Sequence, residues 1–338
     1  MGNTLVSIVI VNWNGKRFLG DCLAALESQT YTNHEVIFVD NASTDGSAEF
    51  VTDHYPQVRI LQCDSNLGFA GANNIGFQAA KGTLLATLNN DTRPDPLWLA
   101  ELVAAMEVSS DVGMCASRLM MWNNPAVIDS AGIAIGENGI AWDRHGGMID
   151  ADEDLHPVEV FGPCAGAALY RRELITQTGG FDEAFFLYLE DVDLAWRAQW
   201  LGWRCLYVPT AKVLHFHSGS SAEGSALKQY HLGRNKVWML YKNLPRAHLA
   251  WLALITGFDL MAMAYSVYLY HNLAGIRGRI AGICGIRKGI VHNNMRNYTN
   301  AQLCRWTGLL EPIEPPWLFA RRFGYLRAYR QLGGKKKL

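Results

Sequence analysis

Four apolar segments near the start of the chain each run directly into a cluster of Asn, Asp, Ser or Gly residues, and this repeated pattern restricts the fold strongly. The segments lie at residues 6–11, 35–39, 58–62 and 83–88, and a helical pattern at 16–28 separates the first two. Apolar, β-branched runs of this length are typical of buried parallel strands. Alternating strands and helices, with polar loops after the strands, predict a doubly wound parallel α/β sheet that binds a ligand along that edge.

The loops after the second and third segments contain residues suited to binding a nucleotide. Asp40 directly follows the second segment, where a carboxylate can accept hydrogen bonds from a ribose or a base edge. The alternative is that Asp40, Ser43 and Asp45 only turn the chain and cap the next helix. The glycine-rich stretch at 68–74 would let the backbone approach a diphosphate, or it is an ordinary turn.

The loop after the fourth segment has the composition of a metal site. Asp91 comes immediately after the apolar run, with Asn89 and Asn90 beside it as neutral oxygen donors. Proteins commonly hold Mg²⁺ or Mn²⁺ by few carboxylates together with water and diphosphate oxygens. The sequence therefore predicts Asp91 as a metal ligand, and the alternative is a structural turn before Pro94 and Pro96.

A second acidic cluster, made of Glu190, Asp191 and Asp193, stands beside an aromatic run at the start of a helical pattern. A partly buried carboxylate in such a place can act as a general base toward a hydroxyl group. The alternative is that the three acids interact with the positive end of the helix dipole. The residues alone leave both interpretations open.

The order of these motifs resembles glycosyltransferase family 2, whose members are inverting enzymes of the GT-A fold, and within it the branch of bacterial rhamnosyltransferases. The motifs that match, in the family's order, are Val-Ile-Val-Asn-Trp-Asn-Gly at 9–15, Val-Asp-Asn-Ala-Ser-Thr-Asp-Gly-Ser at 39–47, Asn-Leu-Gly-Phe-Ala-Gly-Ala-Asn-Asn at 66–74, Leu-Asn-Asn-Asp at 88–91, and Gly-Gly-Phe-Asp-Glu followed by Phe-Phe-Leu-Tyr-Leu-Glu-Asp-Val-Asp-Leu within 179–194. The resemblance implies an α/β, GT-A nucleotide-sugar-binding, Rossmann-like domain over residues 1–225. A mainly helical, basic and membrane-associating region is expected over residues 226–338.

The resemblance also implies roles for individual residues. Asp191, paired with Glu190, is expected to be the catalytic base, and Asp40 resembles the acid that contacts the nucleoside. The residues expected to contact the nucleotide sugar are Asn12, Asp40, Asn41, Ser43, Asp45, Asn66, Gly68, Asn73 and Asn90.

The expected metal site combines one carboxylate with one histidine. Asp91 resembles the last carboxylate of the family's D-x-D motif, but the motif here reads Asn-Asn-Asp, so one protein carboxylate would hold Mg²⁺ or Mn²⁺. His215 or His217 should complete the site, and His215 is favoured because an H-x-x-S-x-S pattern begins there. Metal affinity would then be weak or dependent on the bound nucleotide.

The resemblance implies transfer of a sugar from a nucleotide diphosphate donor to a hydroxyl group of a glycan or lipid-linked acceptor in cell-envelope polysaccharide synthesis. Rhamnose from dTDP-rhamnose is the first expectation, and a UDP-sugar such as UDP-galactofuranose is the second. A catalytically inactive nucleotide-sugar-binding protein is the alternative of another class, although Asp91 and Asp191 are both present. A processive synthase is disfavoured, because the chain has no Q-x-x-R-W motif and no series of membrane-spanning stretches.

Charge is distributed unevenly along the chain, and this asymmetry predicts an anionic partner for the C-terminal part. Residues 1–203 contain 10 Lys or Arg and 27 Asp or Glu, whereas residues 204–338 contain 20 Lys or Arg and 4 Asp or Glu. No nucleic-acid-binding motif is present, so the expected partner is an anionic membrane surface or a lipid phosphate, and not a nucleic acid. A solvated helical domain or a homo-oligomer interface is the alternative.

The apolar stretch at 249–270 bears on the predicted location, because it contains a single charged residue, Asp259. A bilayer span, a helix pair on the membrane surface and a buried hairpin all fit its length, but a central Asp costs a span about 2.5 to 3.5 kcal/mol. Basic residues placed to reach anionic headgroups are Arg277, Arg279, Arg287, Lys288 and the run at 335–337. We therefore expect a cytoplasmic protein at the inner face of the plasma membrane.

Two further features agree with a cytoplasmic location. The N-terminus has no signal-peptide pattern. The seven cysteines are scattered without a C-x-x-C pair, which predicts buried thiols in a reducing compartment rather than disulfides or a zinc site.

Overall fold

A computed structural model describes residues 4–150, 155–216, 225–245, 248, 252–289 and 299–312. In chain order the strands are β1 (Val6–Asn12), β2 (His34–Asp40), β3 (Arg59–Gln62), β4 (Leu84–Leu88), β5 (Thr92–Pro94), β6 (Val112–Met121), β7 (Asn124–Ser130), β8 (Ile133–Gly136), β9 (Ala141–Asp143), β10 (Val158–Val160), β11 (Ala167–Arg171), β12 (Arg204–His215) and β13 (Leu310–Glu311). The α-helices are α1 (Lys16–Glu27), α2 (Ser47–His54), α3 (Gly68–Ala79), α4 (Trp98–Met106), α5 (Arg172–Thr178), α6 (Glu190–Trp200), α7 (Ala226–Asn243), α8 (Leu252–Tyr270), α9 (Ala274–Arg287) and α10 (Asn300–Gly308).

A mixed sheet forms the centre of the fold, with the strand order β10-β12-β6-β11-β4-β1-β2-β3. The half made of β4, β1, β2 and β3 is parallel, as the alternating pattern predicts. The other half departs from the prediction, because β11 runs antiparallel to both β4 and β6. The chain reaches β11 from the preceding strand, β10, and not through a crossover helix. Parallel pairing of successive strands requires such a crossover, so β11 can pair in the antiparallel direction.

Helices cover both faces of the sheet and bury two hydrophobic clusters. Side chains of β1 alternate between the clusters, since Ile8 and Ile10 join the one that includes α1 and α4 while Val9 joins the other. The cluster containing Val9 also includes Trp238 of α7 and Trp306 of α10. The C-terminal helices therefore share a core with the N-terminal part of the chain.

Asp259, the charged residue of the apolar stretch, joins three helices of the C-terminal region. Its carboxylate oxygens lie 2.8 Å from Nζ of Lys236 in α7 and accept hydrogen bonds of 2.6 and 2.7 Å from Arg279 in α9. Burial opposes ionisation of Asp259, but the hydrogen bonds from Arg279 and the charge of Lys236 outweigh it and lower the pKa to about 2. The expectation that Arg279 reaches lipid headgroups is wrong, because its guanidinium turns inward to this carboxylate.

Helix α9 packs closely on α7 through a face of glycines, namely Gly275, Gly278, Gly282 and Gly285. A Cβ atom added at Gly278 would lie 2.1 Å from the carbonyl oxygen of Tyr230. The two backbones therefore touch, and a larger side chain on this face would push the helices apart.

None of the helices in the described ranges combines the length and hydrophobicity that crossing a bilayer requires. Residues 249–251 lie outside the described residues.

The cysteines follow the prediction only in part. Cys22, Cys115 and Cys205 are buried, as expected of scattered thiols in a core. Cys284 and Cys304 are exposed, so the prediction of buried thiols is wrong for these two, which lie on the outer faces of α9 and α10.

Candidate active site at the carboxyl edge of the sheet

The polar loops after β1, β2 and β4 meet at the carboxyl edge of the parallel half of the sheet. Asn12, at the end of β1, is fully buried. Its Nδ2 atom donates a hydrogen bond of 3.0 Å to Oγ of Ser43, and its Oδ1 atom accepts one of 2.5 Å from Nδ2 of Asn90. Gly15 permits this approach, because a Cβ atom there would lie 2.1 Å from Nδ2 of Asn90. Asn12, Ser43 and Asn90 thus form one hydrogen-bonded group.

Asp40 ends β2 and is almost completely buried. Its Oδ2 atom accepts a hydrogen bond of 3.3 Å from the backbone amide of Ser43. Its Oδ1 atom is buried and has no hydrogen-bond partner among the described residues. Leaving a buried acceptor unbonded costs free energy, so this oxygen is suited to accept a hydrogen bond from a ligand.

Asn41 holds the start of the glycine-rich stretch. Its Nδ2 atom donates hydrogen bonds of 2.9 Å to Oδ1 of Asn66 and 3.1 Å to the carbonyl oxygen of Gly68. Its Oδ1 atom accepts a bond of 2.8 Å from the amide of Leu67. These contacts fix the position of α3 relative to the end of β2.

The first turn of α3 binds the carbonyl oxygen of Phe186. The amides of Phe69 and Ala70 donate hydrogen bonds of 2.7 and 3.3 Å to it, and a Cβ atom at Gly68 would lie 2.3 Å from it. Further along the helix, the buried Asn73 donates a bond of 2.9 Å to the carbonyl of Phe69. The hydrogen bond of Asn73 and the close approach at Gly68 involve other groups of the protein. The contacts of Gly68 and Asn73 with a nucleotide sugar stay predictions.

Asp45 caps the starts of two helices. Its Oδ2 atom accepts a hydrogen bond of 2.9 Å from the amide of Lys16 in α1, and its Oδ1 atom accepts bonds from the amide and the hydroxyl of Ser47 in α2. Burial opposes ionisation of Asp45, but the hydrogen bonds from Ser47 and Lys16 outweigh it and lower the pKa. These contacts agree with the alternative interpretation of this loop, in which Asp45 caps a helix.

Asp91 and His215, the two predicted metal ligands, lie side by side and are both buried. Nε2 of His215 is 3.3 Å from Oδ1 of Asp91. They come together because β12 pairs with β5, which places His215 opposite Thr92. On the other side of the ring, Nδ1 of His215 is 2.6 Å from Oδ2 of Asp129. A carboxylate on one ring nitrogen orients the other toward a metal, as is usual for metal-binding histidines.

The two carboxylates strongly favour the protonated form of His215. Burial alone would lower its pKa, but the negative charges of Asp91 and Asp129 outweigh burial and hold the pKa of His215 well above its usual range. In the described part of the chain, no group of three or more His, Cys, Asp or Glu side chains is placed to hold a metal ion. A cation beside Asp91 and His215 would therefore need further oxygen ligands from elsewhere. His217 lies outside the described residues.

Asp193 differs from the other two acids at the start of α6, because its side chain is fully buried in a network of polar groups. It forms ion pairs of 2.8 Å with Arg197 and 2.9 Å with Lys242, and it accepts a hydrogen bond of 2.7 Å from Asn243. Lys242 and Asn243 belong to α7. Asp193 therefore attaches α7 to α6.

Asp191 is partly exposed, whereas the neighbouring Glu190 is buried. Oδ2 of Asp191 accepts a hydrogen bond of 3.2 Å from the amide of Ala165, and Oδ1 accepts one of 2.8 Å from the amide of Val192. Loss of hydration is the main cause that raises the pKa of Asp191 to about 6. Burial and the nearby charge of Asp191 raise the pKa of Glu190 well above its usual range. At neutral pH Asp191 is ionised and can accept a proton, whereas the surroundings of Glu190 favour its protonated form.

A short segment joins the two halves of the site. The amide of Asn89 donates a hydrogen bond of 2.8 Å to the carbonyl of Gly166, and the preceding residue, Ala165, donates its amide to Asp191. The loop that contains Asp91 and the start of α6 are thus attached to adjacent residues of one segment. The arrangement is suited to a reaction that needs both a cation and a base.

Residues 7–178, about half of the chain, match the family model described as Glycosyl transferase family 2. The chain belongs to glycosyltransferase family 2. It is therefore a glycosyltransferase, as the resemblance of its motifs implies. The family match ends before α6, so the acids of that helix and the C-terminal region lie outside it.

Two curated relatives illustrate the similarity of this glycosyltransferase to enzymes of polysaccharide synthesis. It is 30% identical over 256 residues to the N-acetylglucosaminyl-diphospho-decaprenol L-rhamnosyltransferase of Mycobacterium tuberculosis, an alignment that covers 67% of this chain and 81% of the relative. It is 28% identical over 232 residues to the O-antigen biosynthesis protein RfbC of Myxococcus xanthus, covering 65% of this chain and 18% of that protein.

Solved structures of GT-A glycosyltransferases share the fold. The mannosyltransferase PcManGT of Pyrobaculum calidifontis, in complex with GDP-Man and Mn²⁺, aligns with a TM-score of 0.52 at 18% identity, over 98% of this chain and 88% of its own. GalNAc-T7, with UDP, GalNAc and Mn²⁺, aligns with a TM-score of 0.55 at 18% identity, over 71% of this chain and 51% of its own. The predicted α/β GT-A fold with a mainly helical C-terminal region is confirmed.

Proposed function

We propose that this glycosyltransferase moves a sugar, with inversion, from a nucleotide diphosphate donor to a hydroxyl group of a glycan or lipid-linked acceptor in cell-envelope polysaccharide synthesis. The observation that best supports this reaction is the attachment of Asp191 and of the Asp91 loop to the adjacent residues Ala165 and Gly166. Rhamnose from dTDP-rhamnose is the first candidate donor, because the Mycobacterium relative is named an L-rhamnosyltransferase. The name of the Myxococcus relative supports an envelope polysaccharide as the product.

The donor would lie along the carboxyl edge of the parallel strands. The unbonded Oδ1 atom of Asp40 is suited to accept a hydrogen bond from the ribose or the base. Asn12, Ser43 and Asn90 form the floor of this edge through their mutual hydrogen bonds. The remaining predicted contacts are less direct, because Asn41 and Asn66 bind each other and Asp45 caps helices.

Asp91 and His215 would hold Mg²⁺ or Mn²⁺, and Asp129 would keep the His215 ring in the orientation for binding. The residues fit such an ion once His215 gives up its Nε2 proton, because an imidazole and a carboxylate then face each other and the oxygen-rich donor can complete the coordination. When bound, the ion neutralises negative charge that develops on the departing diphosphate. The structures of PcManGT and GalNAc-T7, both with Mn²⁺, support a divalent cation in general.

Asp191 would take the proton of the acceptor hydroxyl. The hydroxyl oxygen then forms a bond to the anomeric carbon as the bond from that carbon to the diphosphate oxygen breaks. Attack from the face opposite the leaving group inverts the anomeric centre in one displacement. The surroundings of Glu190 favour its protonated form, which opposes a second negative charge beside the base.

A donor panel tests the proposed reaction directly. Purified protein is incubated with dTDP-rhamnose, UDP-galactofuranose and other nucleotide sugars, with a lipid-linked N-acetylglucosaminyl diphosphate acceptor and with Mg²⁺ or Mn²⁺. We expect acceptor-dependent release of dTDP from dTDP-rhamnose, and release of UDP would instead support the second candidate. Tight nucleotide-sugar binding without release from any donor or acceptor would support an inactive binding protein.

The raised pKa of Asp191 predicts an acidic limb in the pH profile. Because burial raises this pKa to about 6, the base is ionised above that value and protonated below it. Among the described residues, the titratable groups that interact with it are Glu190, Asp143, Cys164 and Tyr170. The pKa values of Glu190, Cys164 and Tyr170 are raised, which favours their neutral forms.

We therefore expect kcat to fall about tenfold for each pH unit below 6 and to level off above it. The measurement is kcat at saturating donor, acceptor and metal from pH 4.5 to 8, with donor affinity measured by calorimetry at the same pH values. A profile that is flat down to pH 5 would contradict a base with this pKa.

The C-terminal helices supply a candidate surface for an anionic membrane. Helices α8 and α9 expose Leu260, Met261, Ile280 and Ile283. Arg277, Arg287 and Lys288 are exposed on or beside α9. We propose that this surface holds the enzyme at the inner face of the plasma membrane, beside a lipid-linked acceptor, because apolar side chains among arginines and lysines suit an interface with anionic lipid.

Vesicle binding tests this membrane surface. Replacing both Arg277→Glu and Arg287→Glu should weaken binding to anionic vesicles at least about tenfold, since each basic residue near such a surface contributes about 1 kcal/mol. The matched control replaces Arg59→Glu and Lys81→Glu in the N-terminal part and should bind as the wild type does. High salt should release only part of the bound protein, and alkaline carbonate should release all of it. Failure of the wild type to float with anionic vesicles, together with concentration-dependent self-association, would favour a homo-oligomer interface.

A further inference from the structure

The loop immediately before Asp191, residues 185–189, has an unusual backbone conformation. Phe186, Tyr188 and Leu189 have φ values of 65°, 71° and 66°. Residues with a side chain rarely adopt this left-handed region, and such conformations persist only where the surrounding structure imposes them. Helix α6 begins at Glu190, directly after these residues. Some other part of the fold must therefore hold this loop in place.

Asn235 of α7 holds the loop from one side. Its side chain is fully buried, and its Nδ2 atom lies within hydrogen-bond distance of three carbonyl oxygens, at 3.0 Å from that of Phe185, 2.9 Å from Leu187 and 2.7 Å from Tyr188. A single amide group thus binds three of the carbonyls of the loop. Loss of these bonds would leave the carbonyl of Phe185 with its bonds from Arg234 and the amide of Leu187, and it would remove a donor from the carbonyls of Leu187 and Tyr188, which is costly.

Arg234 strengthens the same contact. Its Nη2 atom donates hydrogen bonds of 3.2 Å to the carbonyl of Ala184 and 2.7 Å to that of Phe185. Its Nε atom donates a bond of 2.8 Å to Oδ1 of Asn235, which orients the Asn235 amide so that its nitrogen faces the loop. The guanidinium also lies over the ring of Trp238, at 4.4 Å from the ring centre.

The other side of the loop is attached to the donor side of the site. The carbonyl of Phe186 accepts the hydrogen bonds from the amides of Phe69 and Ala70 at the start of α3. The loop therefore bridges α3 and α7, and Asp191 follows it within one helical turn. Its conformation sets the direction in which α6 leaves the loop and hence the position of the Asp191 carboxylate relative to Ala165.

We propose that Arg234 and Asn235 are positioning residues that hold the strained loop at 185–189 and thereby orient Asp191 toward the acceptor hydroxyl. The inference rests on the proposed role of Asp191 as the base. It assigns α7, which lies outside the family match, a direct part in presenting the base in addition to any role at a membrane.

The substitution Asn235→Asp isolates the bonds that the amide donates. It preserves size and the contact with Arg234, but it removes both N–H groups and places a carboxylate against the three carbonyl oxygens. We expect the loop to relax and kcat to fall about 10- to 100-fold, since displacement of a reacting group by about 1 Å has effects of that size. Asp191 would become better hydrated, so the acidic limb of the profile should move from about 6 toward the ordinary value for Asp. Donor affinity should change little.

Lys236→Met is the matched control, because Lys236 is the next residue of α7 and points away from the loop toward Asp259. It removes the contact between Lys236 and Asp259, so it shows the effect of a weakened α7 without a change in the bonds to the loop. Thermal unfolding is measured for each variant. If Asn235→Asp does not fold, Arg234→Lys serves in its place, because a lysine retains the charge but cannot bond the loop and Asn235 together.

The readouts separate positioning from simple stabilisation. A lower kcat with a shifted acidic limb in Asn235→Asp, and neither change in Lys236→Met, would support the inference. An acidic limb at the wild-type position in folded Asn235→Asp or Arg234→Lys would overturn it, even if stability had fallen. If the acidic limb of the wild-type profile persists in Asp191→Asn, Asp191 is not the base. That outcome would be a failure of the proposed function itself.

Discussion

Replacing Asp91→Ala should lower turnover by several orders of magnitude and weaken metal-dependent binding of the donor. Asp91 supplies the carboxylate that faces Nε2 of His215, and a cation that neutralises the departing diphosphate needs this ligand. The measurements are turnover at saturating donor and calorimetric donor affinity, each with and without Mn²⁺ or Mg²⁺. In the variant, added metal should no longer tighten donor binding.

Two further variants sharpen this test. Asp95→Ala removes an exposed carboxylate directly after β5, four residues from Asp91, and should leave metal dependence unchanged. Asp129→Asn retains the size of the side chain but not its charge beside Nδ1 of His215, so we expect a loss of metal affinity of about 10- to 100-fold. Wild-type protein that keeps nearly full activity after chelator treatment would contradict the metal model as a whole.

The position of the site could be predicted from sequence because it depends on short-range features. Parallel strands bring their carboxyl ends to one edge, so residues directly after such strands come together whatever the details of the loops. Asn12, Asp40 and Asp91 all follow this rule. The direction in which each side chain of a loop points does not follow from this rule. Asp45 lies in the same predicted loop as Asp40, yet its oxygens cap helices rather than remain open to a ligand.

Contacts between distant parts of the chain could not be predicted in the same way. Asp129 is 86 residues from His215 in sequence and belongs to no motif, and its only local signal is a single acid in an otherwise apolar strand. The Arg-Asn pair in α7 is visible in the sequence, but the three carbonyls that it binds belong to a loop almost fifty residues earlier. The antiparallel half of the sheet escaped prediction because pairing there does not follow from repeated strand and helix units.

The surroundings of the three acids in α6 decide which one is suited to be the base, and the sequence alone left this open. Asp193 has two cations and an amide within hydrogen-bond distance, which lower its pKa despite complete burial. Burial and the charge of Asp191 raise the pKa of Glu190 well above its usual range, which favours its protonated form. Asp191 alone combines partial exposure with a pKa of about 6. A base must be deprotonated at the working pH and still basic enough to accept a proton, and Asp191 meets both conditions.

Asp191→Asn should therefore leave donor binding almost unchanged and abolish transfer. The amide fills the same space and can still accept one of the two backbone hydrogen bonds that hold the carboxylate, but it cannot take the acceptor proton. General-base assistance typically contributes about 10² to 10⁴ in rate, so kcat should fall by at least the lower figure. Donor affinity by calorimetry and product formation under single-turnover conditions separate binding from chemistry.

The control for this variant is Glu183→Gln, which makes the same carboxylate-to-amide change at an exposed position just before the loop at 185–189. It should retain both binding and turnover, because that carboxylate lies outside the set attached to Ala165 and Gly166. A loss below about tenfold in Asp191→Asn would be too small for removal of a general base. Glu190→Gln would then become the informative variant, because only a catalytic Glu190 would lose activity on that change.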